Sequence, residues 1–213
     1  MTPRAFYNEI DAYPAQWVRN LADAGHITPG TVDERSITEI TAADLAGYSR
    51  AHFFAGLGGW EQALKLAGVP SDIPVWTGSC PCQPFSIAGK RQGEADERHL
   101  WPVWLKLIEQ CRPPVIFGEQ VASPLGRGWL ASVRSDLEAL GYAVGAADLC
   151  AAGVGAPHIR QRLWFGAVRL ADTDGEIQSG RRVRRSGESD SASERPPRER
   201  SAGLRTDGRL ADT

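Results

Sequence analysis

The fold of this chain is decided by the stretch His52-Phe53-Phe54-Ala55-Gly56-Leu57-Gly58-Gly59-Trp60. Its first three residues predict a strand, and the glycines predict a tight turn, because glycine adopts backbone angles that other residues avoid. A helix is expected from about residue 60 to residue 67, ending at Gly68. This order of strand, glycine turn and helix lets the backbone approach a ligand at a helix N-terminus, which alone is weak evidence for a nucleotide-like cofactor.

The same alternation of β-rich runs and helical patterns continues to about residue 170 and predicts an α/β fold with a mainly parallel sheet and helices on both faces. Strands are expected at residues 5–8, within 31–40, and at 52–54, 73–76, 113–118, 142–149 and 162–168. Helices are expected at residues 14–24, 42–46 after a cap at Thr41, 60–67, 100–110 and 130–140. The carboxyl ends of parallel strands share one edge, where open α/β sheets bind ligands.

Composition sets limits on function and on domain organisation. The 213 residues carry a formal net charge of −2, so any contact with nucleic acid must come from local patches, such as Lys90 and Arg91 or Arg160 and Arg162. No apolar run matches a membrane span or a signal peptide. We expect a domain over residues 1–170, with cofactor strands in 1–60 and the catalytic loop and core in 61–170. Residues 171–213 are polar and are expected to be a disordered tail, either a linker or a low-complexity end.

A second motif, Gly78-Ser79-Cys80-Pro81-Cys82-Gln83-Pro84-Phe85-Ser86, follows an apolar run that reads as a strand. Proline fixes φ and removes an amide donor, so the two prolines that flank Cys82 stiffen a loop that can aim one sulfur at a substrate. The alternatives for the pair of cysteines are a redox motif or half a metal site. Redox motifs usually separate their cysteines by two residues, and no second Cys/His pair at zinc spacing occurs, so we expect no metal. Cys111 and Cys150 are expected in the core.

These motifs together resemble the DNA cytosine-5 methyltransferase family. The segment 54–59 is similar to the family's S-adenosylmethionine loop, and 81–86 is similar to its nucleophile loop. Glu119-Gln120-Val121 stands where the family has Glu-Asn-Val, and 153–162 resembles its Gly-Val-Pro-Gln-x-Arg-x-Arg segment. The motifs follow the family's order over about residues 51–168.

The resemblance also indicates a rearranged chain. The family places a strand with an acidic end and a second cofactor-contacting strand after the glycine loop, but the interval from Gly59 to Cys82 is too short for both. Segments similar to the two occur at the N-terminus instead, at 7–11 and 35–40. A chain can begin at a different strand of a parallel sheet without changing how the strands pack, since the connections between them run over the surface. Glu9 would then accept the ribose hydroxyls, whereas Ser36 stands where the family favours Asp. The alternative is that Glu9 is an ordinary turn acid and Ser36 a helix cap.

The resemblance implies methyl transfer from S-adenosylmethionine to carbon 5 of cytosine in double-stranded DNA, with the cytosine flipped out of the duplex. The implied catalytic residues are Cys82 as nucleophile, Glu119 as acid, and Arg160 and Arg162 as sources of positive charge. The implied cofactor-binding residues are Phe54, Ala55, Gly56, Leu57, Gly58, Gly59, Glu9, Ile10, Ser36, Ile37 and Pro81.

The family's target-recognition region and its final Gly-Asn segment are not recognisable after Arg162. We therefore expect either a missing C-terminal part or a partner chain for target recognition. The alternative function is an inactive or partner-dependent fragment that binds cofactor or DNA without turnover, and an RNA substrate is a third hypothesis. No contact with a membrane is expected, and the expected location is the cytoplasm of a bacterial cell or phage-infected host.

Overall fold

The computed structural model of this chain describes residues 4–81 and 100–170. The strands within these ranges are β1 (Ala5–Asn8), β2 (Gly30–Asp33), β3 (Arg50–Phe53), β4 (Val75–Gly78), β5 (Val115–Val121), β6 (Tyr142–Cys150) and β7 (Gln161–Arg169). The helices are α1 (Ala12–Asp23), α2 (Gly59–Leu66), α3 (Trp101–Cys111) and α4 (Pro124–Ala139), and short 3-10 turns occupy Ile37–Glu39 and Ala151–Val154.

The strands form one sheet in the order β2-β1-β3-β4-β5-β7-β6. The pairs from β2 to β5 are parallel, whereas β7 is antiparallel to both β5 and β6. The mainly parallel α/β fold predicted from the sequence is therefore confirmed. The two last strands can be antiparallel because a short connection suffices for a hairpin, while parallel neighbours need a crossover.

The direction in which the chain moves across the sheet reverses between β1 and β3. From β1 the chain crosses to β2 on one side, and from β3 it crosses to β4 on the other side. Connections that leave in opposite directions open a crevice at the carboxyl ends of two adjacent strands, where α/β proteins bind ligands. Glu9 follows β1 and the glycine loop follows β3, so the N-terminal strands lie where the rearranged order requires them.

Alternate residues of the central strands supply a hydrophobic core on each face of the sheet. Phe6, on one face of β1, belongs to the larger core, to which α3 contributes Trp104 and α4 contributes Leu137. Tyr7, on the other face of β1, packs in the smaller core with Val18 of α1. Helices therefore cover both faces, as the sequence predicts.

Two predicted helices differ from the structure. Residues 42–46 form turns, because the carboxylate of Asp44 accepts both the N–H and the hydroxyl of Thr41 and closes the segment locally. Helix α4 begins at Pro124, several residues before the predicted start, after a cap in which Ser123 Oγ accepts the N–H of Gly126. The sequence pattern does not predict this start, because the first turns of α4 contain glycines, which have a low helix propensity.

Three predictions from the sequence fall outside the described residues: the nucleophile Cys82, the basic pair Lys90 and Arg91, and the polar tail 171–213. In the part of the chain that the structure describes, no helix combines the length and the apolar character that a membrane span needs.

The close contact between Gly78 and Trp104 generates a test of the packing at the end of β4. A Cβ at residue 78 would lie 2.6 Å from Cη2 of Trp104, whose side chain is fully buried. We expect Gly78→Ala to lower the free energy of unfolding by about 1–3 kcal/mol, as overpacking of a core does. The measurement is urea denaturation of the two proteins.

The matched control is Gly128→Ala in α4, where an added Cβ meets no atom within 4 Å. Alanine is a better helix former than glycine, so this variant is expected to gain about 0.5–1 kcal/mol. Equal effects of the two substitutions would contradict the packing argument.

Candidate functional site

The candidate site lies at the crevice between the carboxyl ends of β1 and β3. The N–H of Ala55 donates to the carbonyl of Asn8 at 3.0 Å, which joins the end of β1 to the start of the glycine loop. Oε2 of Glu9 accepts the N–H of Gly56 at 2.7 Å, and Oε1 accepts the N–H of Asp11 at 3.0 Å. The carboxylate of Glu9 is therefore held against the glycine loop by the N–H of Gly56 and oriented within its own loop by the N–H of Asp11.

The glycine loop has an unusual backbone. Phe54, Gly56 and Gly58 all lie in the left-handed region, with φ of 53°, 53° and 78°. For the non-glycine Phe54 this conformation costs on the order of 1–3 kcal/mol, and such strain clusters at functional sites. An added Cβ at Gly56 or Gly59 would meet no atom within 4 Å, so open space lies over the loop at the start of α2.

The loop after β2 is brought to the same edge by Asn8, a residue that the sequence reasoning missed. Its buried Nδ2 donates to the carbonyls of Asp33 and Arg35 at 3.2 and 2.8 Å. The signal in the sequence is a polar residue as the last position of an otherwise apolar strand. Ser36 follows this loop and caps the 3-10 turn, with its hydroxyl accepting the N–H of Thr38.

The predicted cofactor residues differ in exposure. Ile10, which follows Glu9, is 67% exposed, and Leu57 in the glycine loop is also exposed. The side chain of Ile37 is 3% exposed and belongs to the larger core, so it serves packing. The structure therefore brings Glu9, Ile10 and the glycine loop to one edge, while the side chain of Ile37 lies below the surface.

The cysteine loop starts at the same edge, where β4 ends. Cys80 is buried in the larger core, and its carbonyl accepts Nε2 of Gln120 at 3.1 Å. Gln120 also accepts the N–H of Val121 through Oε1, so its amide holds the loop against β5. Pro81 is exposed and is the last described residue before Cys82.

Of the other cysteines, Cys111 packs against the larger core as predicted. Cys150 lies in neither of the two core clusters described, and backbone hydrogen bonds lower the pKa of its thiol.

Glu119 and Arg162 form an ion pair across β5 and β7, with Nε of Arg162 2.5 Å from Oε1 of Glu119. Both side chains are less than one-fifth exposed. Glu119 lies inside β5, which continues to Val121, so the strand end predicted at residue 118 is three residues too early. Arg160 precedes β7 and is exposed, so Arg162 is the arginine that the structure places beside Glu119.

A buried charged cluster lies beneath the glycine loop. Glu61, in the first turn of α2, lies 2.5 Å from Nη1 of Arg50 and 3.0 Å from Nε2 of His52, and it accepts the hydroxyl of Thr28. Burial raises the pKa of Glu61, but its contacts with His52, Arg50 and Thr28 outweigh burial and lower that pKa from 4.5 to about 2. Burial also lowers the pKa of His52, which favours the neutral imidazole.

Comparisons with known proteins match this chain to one family. The family profile described as C-5 cytosine-specific DNA methylase matches residues 64–178. Type II methyltransferase M.AplI of Arthrospira platensis is 33% identical over 113 residues, covering 52% of this chain and 33% of the relative. Type II methyltransferase M.HhaI of Haemophilus parahaemolyticus is 27% identical over 170 residues, covering 62% of this chain and 52% of the relative. The chain thus spans about a third to a half of the length of these relatives.

A solved structure shares the fold. The S. pombe Dnmt2 methyltransferase aligns with a TM-score of 0.50 and 18% sequence identity, over 82% of this chain and 53% of that chain. At this identity the likeness concerns the arrangement of strands and helices.

The cluster around Glu61 makes stability depend on pH. The folded protein lowers the pKa of Glu61 from 4.5 to about 2, so the resulting stabilisation is complete above pH 4.5 and is lost as pH falls toward 2. At pH 7 we expect Glu61→Gln to lower the free energy of unfolding by about 3–5 kcal/mol, because Arg50 then remains buried without a counter-charge. The difference from wild type should narrow below pH 4.5 in urea titrations at several pH values.

Glu109→Gln, at an exposed position of α3, is the matched control and should change stability little at any pH. A gap between wild type and Glu61→Gln that stays constant from pH 7 to pH 3.5 would show that the charge of Glu61 is not its cause.

Proposed function

Because this chain belongs to the C-5 cytosine-specific DNA methylase family, we propose that it transfers a methyl group to carbon 5 of cytosine in DNA. The observation that carries the proposal is the convergence of three segments at one edge of the sheet. Glu9 holds the glycine loop, Gln120 holds the start of the cysteine loop, and Glu119 lies beside Gln120 on β5. A cofactor loop, a nucleophile loop and an acid are the parts that the reaction needs.

S-adenosylmethionine supplies the methyl group when it is bound, and the described residues fit it. Open space lies over Gly56 and Gly59, and the N-terminus of α2 favours an anionic group such as a carboxylate. The carboxylate of Glu9 accepts two backbone N–H groups and retains lone pairs for ribose hydroxyls. Exposed Ile10 offers an apolar surface beside Glu9. The remaining contacts would come from the predicted set that lies along this edge, Phe54, Ala55, Leu57, Gly58, Ser36, Pro81 and the backbone of Ile37.

Cys82 is proposed as the nucleophile on the sequence motif, since it lies outside the described residues. Its thiolate adds to carbon 6 of cytosine, and the electron pair of the 5,6 double bond then makes carbon 5 nucleophilic enough to accept the methyl group. Loss of the proton from carbon 5 expels the thiolate and restores the double bond. A free thiol has a pKa of about 8.5, so positive charge near it would raise the fraction present as thiolate. The exposed side chain of Arg160 is the proposed source of that charge.

Glu119 is proposed to donate a proton to N3 of the cytosine as a carboxylic acid, which stabilises the charge that enters the ring as sulfur adds. The ion pair with Arg162 fixes the position of its carboxyl group. The base has to leave the duplex to reach this edge, at a cost of about a few kcal/mol in lost stacking. Contacts in the pocket would offset that cost.

Covalent trapping tests the proposed chemistry. With S-adenosylmethionine and duplex DNA containing 5-fluorocytosine, the full chain should form an adduct that survives denaturing gels, because fluorine replaces the carbon-5 proton whose loss would release the thiolate. Cys82→Ala should form none, and mass spectrometry should place the adduct on Cys82 in the wild type.

Cys150→Ala, at the end of β6, is the matched control and should retain the adduct. Cofactor binding without any adduct in the wild type would favour the alternative of a fragment that does not turn over, and an adduct in Cys82→Ala would reassign the nucleophile.

The role of Glu9 is tested by calorimetry with S-adenosylhomocysteine. Glu9→Gln removes the charge that accepts ribose hydroxyls, and hydrogen bonds to charged groups contribute about 1.5–3 kcal/mol, so the Kd should rise about ten-fold or more. Glu34→Gln removes an exposed carboxylate paired with Arg19 and should leave the Kd unchanged. The same Kd for Glu9→Gln and wild type would show that Glu9 serves only the fold of the loop.

A further inference from the structure

Trp60 joins the glycine loop to the cysteine loop. It is the second residue of α2, directly after Gly59, and its indole Nε1 donates to Oγ of Ser79 at 3.0 Å. Ser79 is the first residue after β4, on the segment that leads through Cys80 and Pro81 to Cys82. This side-chain hydrogen bond thus connects the two loops to which the proposed function assigns the cofactor and the nucleophile.

The ring of Trp60 is held in place by two strands. It lies edge-on to Trp164 of β7 at a centroid distance of 5.3 Å, and nearly parallel to Phe117 of β5 at 6.4 Å. Such geometries are favourable for aromatic pairs. Because the indole has one N–H and its ring is packed on two sides, the direction of the bond to Ser79 is fixed.

Phe117 and Trp164 also place Trp60 beside the proposed acid. Glu119 is two residues along β5 from Phe117, so both side chains project from the same face, and Trp164 is the residue of β7 directly opposite Glu119. Trp60 is therefore anchored to the strands that carry Glu119 and Arg162, while its N–H reaches the cysteine loop.

We propose that Trp60 is a positioning residue that transmits the state of the glycine loop to residues 79–81, an inference that rests on the proposed function. A ligand bound over Gly56 and Gly59 restrains the first turn of α2. The indole N–H then restrains Ser79, and with it the segment that presents the nucleophile. Trp60 would therefore act on the reaction through Ser79 and would not itself contact the base.

Hydrogen exchange with mass spectrometry tests this transmission in the full chain, with S-adenosylhomocysteine as the probe. In the wild type, the probe should slow exchange in peptides that cover the glycine loop, 55–59, and in those that cover 79–80, each by about five-fold or more. In Trp60→Phe, which keeps a ring but lacks the N–H, the glycine loop should remain protected while the protection of 79–80 is lost.

Ser79→Ala removes the same bond from the other side and should reproduce the pattern of Trp60→Phe, and the double variant should add nothing further. Trp17→Phe, at an exposed position of α1, is the matched control and should behave as the wild type does. Ser79→Ala also keeps the test decisive if Trp60→Phe loses its fold.

The outcomes separate this inference from the proposed function. Protection of 79–80 that persists in Trp60→Phe and Ser79→Ala, or that is absent from the wild type while the glycine loop is protected, overturns the inference alone. No protection of the glycine loop in the wild type overturns the proposed cofactor site and the inference together.

In single-turnover methyl transfer, Trp60→Phe should lower the rate about five-fold with a probe Kd within about two-fold of wild type, as expected for loss of one hydrogen bond.

Discussion

The buried carboxylate of Glu61 is the constraint on which the site depends. A charge removed from water costs several kcal/mol unless it is paired, and Glu61 meets Arg50 and His52, which project from the same face of β3. These contacts place the first turn of helix α2 over that strand. The chain must reverse between Phe53 and Gly59 within a few residues, and the left-handed angles of the glycine loop follow from this demand. Tyr7 stacks on His52 at 5.0 Å and extends the same constraint to β1.

The conformation of the glycine loop is thus fixed by protein contacts on the side of the loop that faces the sheet. Glu9 adds a second restraint from β1, through the N–H of Gly56. Neither restraint occupies the space over Gly56 and Gly59, where an added Cβ would meet no atom. A loop that is held on its lower side and open above needs little rearrangement to accept a ligand, which reduces the entropy that binding costs.

The sequence predicts the parts of this architecture that depend on local pattern. The strand, glycine turn and helix and the buried strand before Glu119 follow from periodicity and turn residues, whereas the displacement of the N-terminal strands follows from the resemblance to the family and from an interval too short for two strands. The parts that it does not predict depend on side chains that bond across the fold. Gln120 reaches Cys80 over 40 positions, and Trp60 reaches Ser79 over 19. The sequence leaves open whether Ser36 contacts a ligand or caps a helix. Its hydrogen bond to Thr38 depends on the backbone conformation of the 3-10 turn, which the sequence pattern does not predict.

The rearranged order divides the site between two parts of the chain. The strands and helices that carry Glu9 and the glycine loop all come from the segment before β4, whereas Cys80, Gln120 and Glu119 come from β4 onward. The sheet joins the two parts through the pairing of β3 with β4, which fixes their separation along the edge but not the conformation of the loops above it. The placement of the two loops relative to each other therefore also depends on contacts between them. Among the described residues these contacts include the hydrogen bond from Trp60 to Ser79, so an individual hydrogen bond contributes to the relative placement of the loops proposed to hold the cofactor and the nucleophile.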